Sequence, residues 1–129
     1  MTVIMVIEDN PDNMDLVTEI LEDEDYSVEG FDRAVAGLER LQAGGIDLIL
    51  MDVSLPDMNG LEATRLIRQD ESVREGERRH IPVLALTAHA MANDERACLD
   101  AGCDAYLTKP IDDDLLLQRI AFYLEADHA

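Results

Sequence analysis

The stretch Val3-Ile4-Met5-Val6-Ile7-Glu8-Asp9-Asn10-Pro11 decides how this chain folds. Its first five residues form a continuous apolar run instead of an alternating one, the pattern of a strand covered on both faces. Asn10-Pro11 then supplies a helix start, with Asn as the cap and Pro at the first helical position. Met14, Val17, Ile20 and Leu21 follow at helical spacing. A strand buried on both sides that feeds directly into a helix is the building unit of a parallel α/β sheet.

Outward from that unit the same alternation recurs. A weaker strand, Ser27 to Phe31, precedes a helix expected from near Asp32, with Val35, Leu38 and Leu41 on one face and Gly44-Gly45 as its stop. Leu48-Ile49-Leu50-Met51 is the third strand and runs into Asp52. After the turn Leu55-Pro56-Asp57-Met58-Asn59-Gly60, a third helix carries Leu61, Leu66 and Ile67. The charged segment from Asp70 to His80 reads as a solvated extension or loop. Ile81 to Leu86 is the fourth strand, with Pro82 near its start where a lost donor is tolerated. A helix from about Met91 to Ala101 ends at Gly102, and Ala105-Tyr106-Leu107 is a short fifth strand. Asp112 caps the last helix, which turns Leu115, Leu116, Ile120 and Tyr123 or Leu124 inward. Five alternations predict an α/β fold, a doubly wound parallel sheet with helices on both faces. The 129 residues suit one domain, whereas an eight-fold barrel needs at least ~200.

Composition narrows the partners. The formal charge is −19, and of the ten basic residues only Lys109 is a lysine. Such a polyanion repels nucleic acid and anionic membrane surfaces, so neither is an expected partner. No apolar run approaches the ~20 residues of a membrane span, and the N-terminus lacks a secretory pattern; a cytoplasmic protein is expected. Cys98 and Cys103 fit neither a redox pair nor a zinc knuckle and read as small buried hydrophobes.

Parallel α/β sheets bind ligands outside the carboxyl ends of their strands, near the point where strand order reverses. The predicted strands end in Glu8-Asp9, Asp52, Thr87-Ala88 and Thr108-Lys109-Pro110. Two carboxylates ~4 Å apart repel by roughly 4 kcal/mol at an effective dielectric near 20, so a proton or a cation must offset them. A small set of hard oxygen ligands suits Mg²⁺ better than an enclosed Ca²⁺ cage. Lys109 adds a second positive charge and Thr87 a directional donor. A nucleophilic carboxylate ringed in this way is equipped for phosphoryl transfer. Taken singly, an acid at a strand end is an ordinary turn residue, a threonine an ordinary cap and a lysine an ordinary surface group. Their joint placement on one rim is what points to chemistry.

The chain resembles the receiver domains of bacterial response regulators from about residue 2 to residue 125. The resemblance lies in Val6-Ile7-Glu8-Asp9-Asn10, in Leu50-Met51-Asp52-Val53-Ser54-Leu55-Pro56-Asp57-Met58-Asn59-Gly60, in Leu86-Thr87-Ala88 and in Tyr106-Leu107-Thr108-Lys109-Pro110. It implies a flavodoxin-like sheet of strand order 2-1-3-4-5. It implies Asp52 as the phosphorylated nucleophile. Asp9, Asp52 and the Ser54 backbone carbonyl would hold Mg²⁺, with Glu8 acting largely through metal-bound water. Thr87 and the Ala88 N–H would meet phosphoryl oxygens, and Lys109 would neutralise another, beside a cis Lys109-Pro110 bond. Tyr106 would be the switch aromatic that turns inward as Thr87 moves.

The same resemblance implies a sensor histidine kinase or histidine phosphotransfer protein as donor, and a downstream protein target on the face of helix 4, strand 5 and helix 5. It implies a domain that phosphorylates and dephosphorylates itself and is no turnover enzyme. Ser54 and His89 sit where the attacking water approaches and are expected to tune the phosphoryl lifetime, while His80 and His128 read as surface. The stretch from Arg74 to His80 reads as an exposed loop.

Alternatives have missing parts. A flavodoxin-type domain needs a phosphate cradle rich in Ser, Thr and Gly after strand 1, where this chain has Glu8-Asp9-Asn10-Pro11-Asp12. An aspartyl-phosphate phosphatase usually has a second acid two residues after its nucleophile, where this chain has Ser54. A scaffold-only receiver would not need every functional position filled. No output module is expected in this chain, which would act alone, in a phosphorelay, or as the receiver of a hybrid kinase.

Overall fold

A computed structural model describes residues 2–73, 81–88 and 92–127. Strands and helices alternate along the chain: β1 (Val3–Ile7), α1 (Pro11–Asp23), β2 (Ser27–Phe31), α2 (Ala34–Leu41), β3 (Leu48–Asp52), α3 (Gly60–Val73), β4 (Val83–Thr87), α4 (Ala92–Ala101), β5 (Ala105–Thr108) and α5 (Asp113–Asp127). The strands form one sheet in the order β2-β1-β3-β4-β5, parallel throughout. This is the expected doubly wound α/β sheet. The Asn10 side chain accepts from the Asp12 and Asn13 N–H groups and so starts α1 with Pro11 in its first turn. Asp112 does the same for α5 through the Leu115 N–H.

The unbroken apolar runs are explained by two cores. Met5, Ile7, Ile49, Met51, Val83 and Ala85 face the layer of α2, α3 and α4, where they meet Ala34, Leu41, Ala63, Ile67 and Cys98. The intervening residues Ile4, Val6, Leu48, Leu50, Leu84 and Leu86 face α1 and α5, meeting Val17, Leu21, Leu116 and Ile120. All twelve strand residues have no solvent exposure, so an alternating pattern was never available to β1, β3 or β4. The helix after β1 covers one face and the helix after β3 the other. Strand order therefore reverses between β1 and β3, and the sheet opens a crevice at their carboxyl ends.

Several element edges differ from the sequence reading. Helix α2 begins at Ala34, not near Asp32, and docks through Ala34, Gly37 and Leu41. A Cβ at Gly37 would lie 2.5 Å from the Ile7 side chain; this close seat turns Val35 outward, leaving it 46% exposed. Ile81 and Pro82 precede β4, and the Pro82 carbonyl accepts the Ile49 N–H as lead-in to the strand. Helix α3 runs on to Val73, so the first part of the charged segment is the extension rather than the loop of the two readings, and the helix buries Ala63, Thr64 and Ile67 while Leu66 faces out. The readings placed on Arg74 to His80, His89, Met91 and His128 lie outside the described residues.

At the amino end of the sheet, Arg68 of α3 ties three elements together. Its guanidinium donates to the Gly102 carbonyl at 2.8 Å, the Ile81 carbonyl at 2.7 Å and Asp104 Oδ2 at 2.9 Å. The same Asp104 oxygen accepts the Val83 N–H. The planar fork of arginine reaches all three acceptors at once, which a point-charge ammonium cannot do. Arg68→Ala leaves a mostly buried carboxylate and two carbonyls short of a donor. The expected loss in urea denaturation is about 2–3 kcal/mol, with Arg68→Lys recovering less than half; a loss within the scatter of surface substitutions would contradict this role.

Candidate functional site

The site is built by carrying each strand ladder slightly past the strand end. The Glu8 N–H bonds to the Phe31 carbonyl, the Val53 N–H to the Leu86 carbonyl, and the Lys109 N–H to the Thr87 carbonyl at 2.8 Å. Register pairs Ile7 with Met51, Asp52 with Leu86, and Thr87 with Thr108. Glu8, Asp52, Thr87 and Lys109 thus fall along one edge of the sheet, at the crevice beside the β1–β3 junction.

Three carboxylates face one ammonium there. Carboxylate oxygens of Glu8, Asp9 and Asp52 lie within 4.8 Å of one another. Lys109 Nζ donates to Glu8 Oε1 at 2.8 Å and lies 3.4 Å from Asp52 Oδ1. Glu8 and Asp52 are buried, at 1% and 3% exposure, while Asp9 is exposed and forms the open side. A cleft of about 420 Å³, lined by Glu8, Asp9, Pro11, Met14, Phe31 and others, flanks this side. The Ser54 N–H bonds to Asp52 Oδ1 at 3.2 Å and so orients the carboxylate. The loop can close this tightly because Gly60 follows it: a Cβ there would lie 2.1 Å from the Asp52 carbonyl oxygen.

Proton affinities record the crowding. Burial, followed by the neighbouring Glu8 carboxyl, pushes Asp52 up to about 7, against the pull of the Ser54 N–H and Lys109. Burial also acts to raise Glu8, but the hydrogen bonds to Asp52 and Lys109 outweigh it and hold its carboxyl below the ordinary range. Desolvation acts to lower Lys109, yet its two acidic neighbours raise it above the usual lysine value. Glu8 Oε2 is buried with no hydrogen-bond partner among the described residues. A carboxylate oxygen left in that state calls for a proton or a cation. A hard divalent ion with oxygen ligands fits this donor set, since among the described residues two buried acids and one exposed acid converge with a single ammonium to balance them.

Of the residues singled out in the sequence, the structure brings together Glu8, Asp9, Asp52 and Lys109. Ser54 stands exposed at the rim with its N–H already on Asp52. Thr87 is buried as the last residue of β4, and Ala88 follows it at the surface. Tyr106 pairs with Ala85, lower on β5, and packs partly buried against the core layer beneath α2, α3 and α4. The Lys109-Pro110 peptide is cis, as expected. Two contacts were not foreseen. Lys109 rests on Glu8, across 101 residues of sequence. Asp57 reaches from the β3–α3 loop to the start of α2, where its oxygens accept the Ala34 and Val35 N–H groups, both at 3.0 Å. The available sign of the second was that Arg33, at the cap position of α2, is a poor cap.

A stability test follows from the raised Asp52. Its folded-state pKa lies above the ordinary carboxyl value, so its contribution to metal-free stability is fully present at acid pH and is lost as pH rises through about 7. Asp52→Asn removes the charge that causes this loss. In EDTA at about pH 8 the variant should unfold later than wild type by on the order of 2 kcal/mol, and the gap should narrow as pH falls below about 7 and close only near the ordinary carboxyl value of 3.8. A gap that stays constant with pH would contradict the assigned repulsion.

Comparison with known proteins agrees with this geometry. The family model described as "Response regulator receiver domain" matches residues 4–121. The chain is 45% identical over 115 residues to the sensor histidine kinase GacS of Pseudomonas protegens, covering 89% of this chain but only 12% of that protein. It is 39% identical over 121 residues to the polar-differentiation response regulator DivK of Brucella ovis, covering 94% of each. Among solved structures, the receiver domain of the sensor histidine kinase PA1611 of Pseudomonas aeruginosa, which holds a magnesium ion in its active-site cleft, superposes with a TM-score of 0.84 at 33% identity. That match covers 96% of this chain and 98% of the other. With its strand order, its acid-lined crevice and these relatives in agreement, the chain belongs to the response regulator receiver domain family of two-component signalling.

Proposed function

We propose that Asp52 accepts a phosphoryl group from a phosphohistidine, on a sensor histidine kinase or a histidine phosphotransfer protein, with Mg²⁺ bound at Glu8, Asp9, Asp52 and the Ser54 carbonyl. The observation that supports this most is the buried Asp52 carboxylate, set between two further acids and Lys109 at the β1–β3 crevice. Bound Mg²⁺ would supply positive charge for the acids and for the oxygens of the incoming group. In its absence burial and the neighbouring Glu8 carboxyl raise Asp52 to about 7, so part of the population is protonated at neutral pH, and a protonated carboxyl is a poor nucleophile.

An Asp52 oxygen attacks phosphorus as the P–N bond to the donor imidazole breaks, its electron pair leaving with the imidazole nitrogen. Lys109 exchanges its rest position on Glu8 for a phosphoryl oxygen, placing a fixed positive charge where negative charge grows. Thr87 donates its hydroxyl to a second oxygen, with the Ala88 N–H close by. The added charge of about −1.5 to −2 draws the β4 end inward, and Tyr106 follows on the neighbouring strand. The α4, β5 and α5 face then changes its affinity for a downstream protein.

The group is gained and lost on the domain's own carboxylate, so the domain serves as substrate and catalyst together and turns over no external compound. The charge of −19 favours a protein partner over nucleic acid. Among the described residues no helix is long and apolar enough to cross a membrane; the proposed kinase or phosphotransfer donor is what places the domain in the cytoplasm. The similarity to DivK over nearly all of its length, and to a short part of GacS, accommodates both a separate regulator and a kinase-linked receiver.

Incubation with acetyl phosphate and Mg²⁺, followed by intact mass measurement, tests this reading. Wild type should gain the mass of one phosphoryl group, while Asp52→Asn and a sample in excess EDTA should gain none. Equal labelling of wild type and Asp52→Asn would overturn it.

A further inference from the structure

The loop after Asp52 is closed at its base and bolted at its tip. At the base, the Gly60 N–H bonds to the Val53 carbonyl at 2.9 Å, and Ser54 pairs with Asn59 in an isolated antiparallel bridge. Asn59 also caps α3 through the Leu61 N–H at 2.7 Å. At the tip, Asp57 accepts two N–H groups from the first turn of α2. Helix α2 has no side-chain cap of its own, since Arg33 occupies the cap position without bonding there. That helix in turn is seated on β1, where Gly37 meets Ile7, the residue before Glu8 and Asp9. Asp57 therefore spans, on the outside, the same β1–β3 gap that the acidic cluster spans on the inside.

We propose that Asp57 is a positioning residue for the metal site: by fastening the β3–α3 loop to α2, it fixes the Ser54 carbonyl relative to the β1 acids Glu8 and Asp9. This role rests on the proposed binding of Mg²⁺ at the acidic cluster. A carboxylate suits the task because both of its oxygens are used, one for each N–H, as a bidentate clamp. The Val35 and Ala34 N–H groups also hold this carboxyl below its ordinary range, so the clamp stays charged wherever Mg²⁺ can compete for the acids. Groups that orient metal ligands without touching the ion commonly alter affinity by ~10–100-fold when removed.

A cap that merely stabilises α2 would give a similar loss of stability, so the test separates the two roles. Arg33→Ser supplies α2 with a local cap while leaving the loop unfastened. Wild type, Asp57→Ala, Arg33→Ser and the double variant would be compared by thermal melting and by Mg²⁺ titration calorimetry, at a temperature where all four are folded. Amide exchange at Ser54 in the metal-free proteins gives a third reading. Asp57→Ala should melt earlier, bind Mg²⁺ about tenfold more weakly and exchange faster at Ser54. Adding Arg33→Ser should restore the melting temperature and leave the weaker binding and faster exchange in place. Recovery of wild-type Mg²⁺ affinity in the double variant, or no loss in Asp57→Ala, would overturn the positioning role while leaving the Mg²⁺ reading intact. No Mg²⁺ binding by wild type would remove both.

Discussion

Mutual repulsion among Glu8, Asp9 and Asp52 is the constraint around which this domain is organised. Two of these acids are buried, and among the described residues a single ammonium, Lys109, pairs with them. The conflict shows in the resting state as a raised proton affinity at Asp52 and as Lys109 resting on Glu8. The balance is incomplete, since Glu8 Oε2 has no hydrogen-bond partner among the described residues. A fold can hold such an unfavourable cluster only if its stability comes from elsewhere. Here it comes from two apolar layers in which the central strands are buried on both faces, and from ties such as Arg68 at the opposite end of the sheet.

The geometry also suits the same acids to the proposed metal binding and the proposed chemistry. Each lies at or just past the end of a strand whose register is set by core packing, so their separations are fixed before any ligand arrives. Preorganised charge of this kind costs little reorganisation at the moment of reaction. The loop after Asp52 is the part least determined by the sheet. It is held by Gly60 at its base, by the Ser54–Asn59 bridge and by Asp57 at its tip. A short loop fastened at three points behaves more like an extension of the scaffold than like a mobile connection.

Much of this was legible in the residues because local rules and the global fold agree. The run Val3 to Ile7 reads as a doubly buried strand and is one, and Asn10-Pro11 starts a helix as cap chemistry requires. The acids, Thr87 and Lys109 could be assigned to one rim because, in a parallel sheet, the residue after each strand must lie there. What escaped notice depends on contacts between distant parts of the chain. On α2, Leu38 and Leu41 face the core as expected, while Val35 was misplaced because Gly37, not a larger residue, sets how closely that helix approaches Ile7. The resting partner of Lys109 and the reach of Asp57 across 23 residues to Ala34 leave no periodic trace. The end of α3 at Val73 stays open in the sequence between an extension and a loop, because charged residues suit either.

Anomalous scattering from crystals soaked in Mn²⁺, a stand-in for Mg²⁺, addresses the unbalanced cluster most directly. A single strong peak bounded by the carboxylates of Glu8, Asp9 and Asp52, near the Ser54 carbonyl, is the result that the charge arrangement requires. An empty crevice in crystals that take up the ion elsewhere would mean that a proton and Lys109 already satisfy these acids, and it would contradict a divalent-cation site at the β1–β3 crevice.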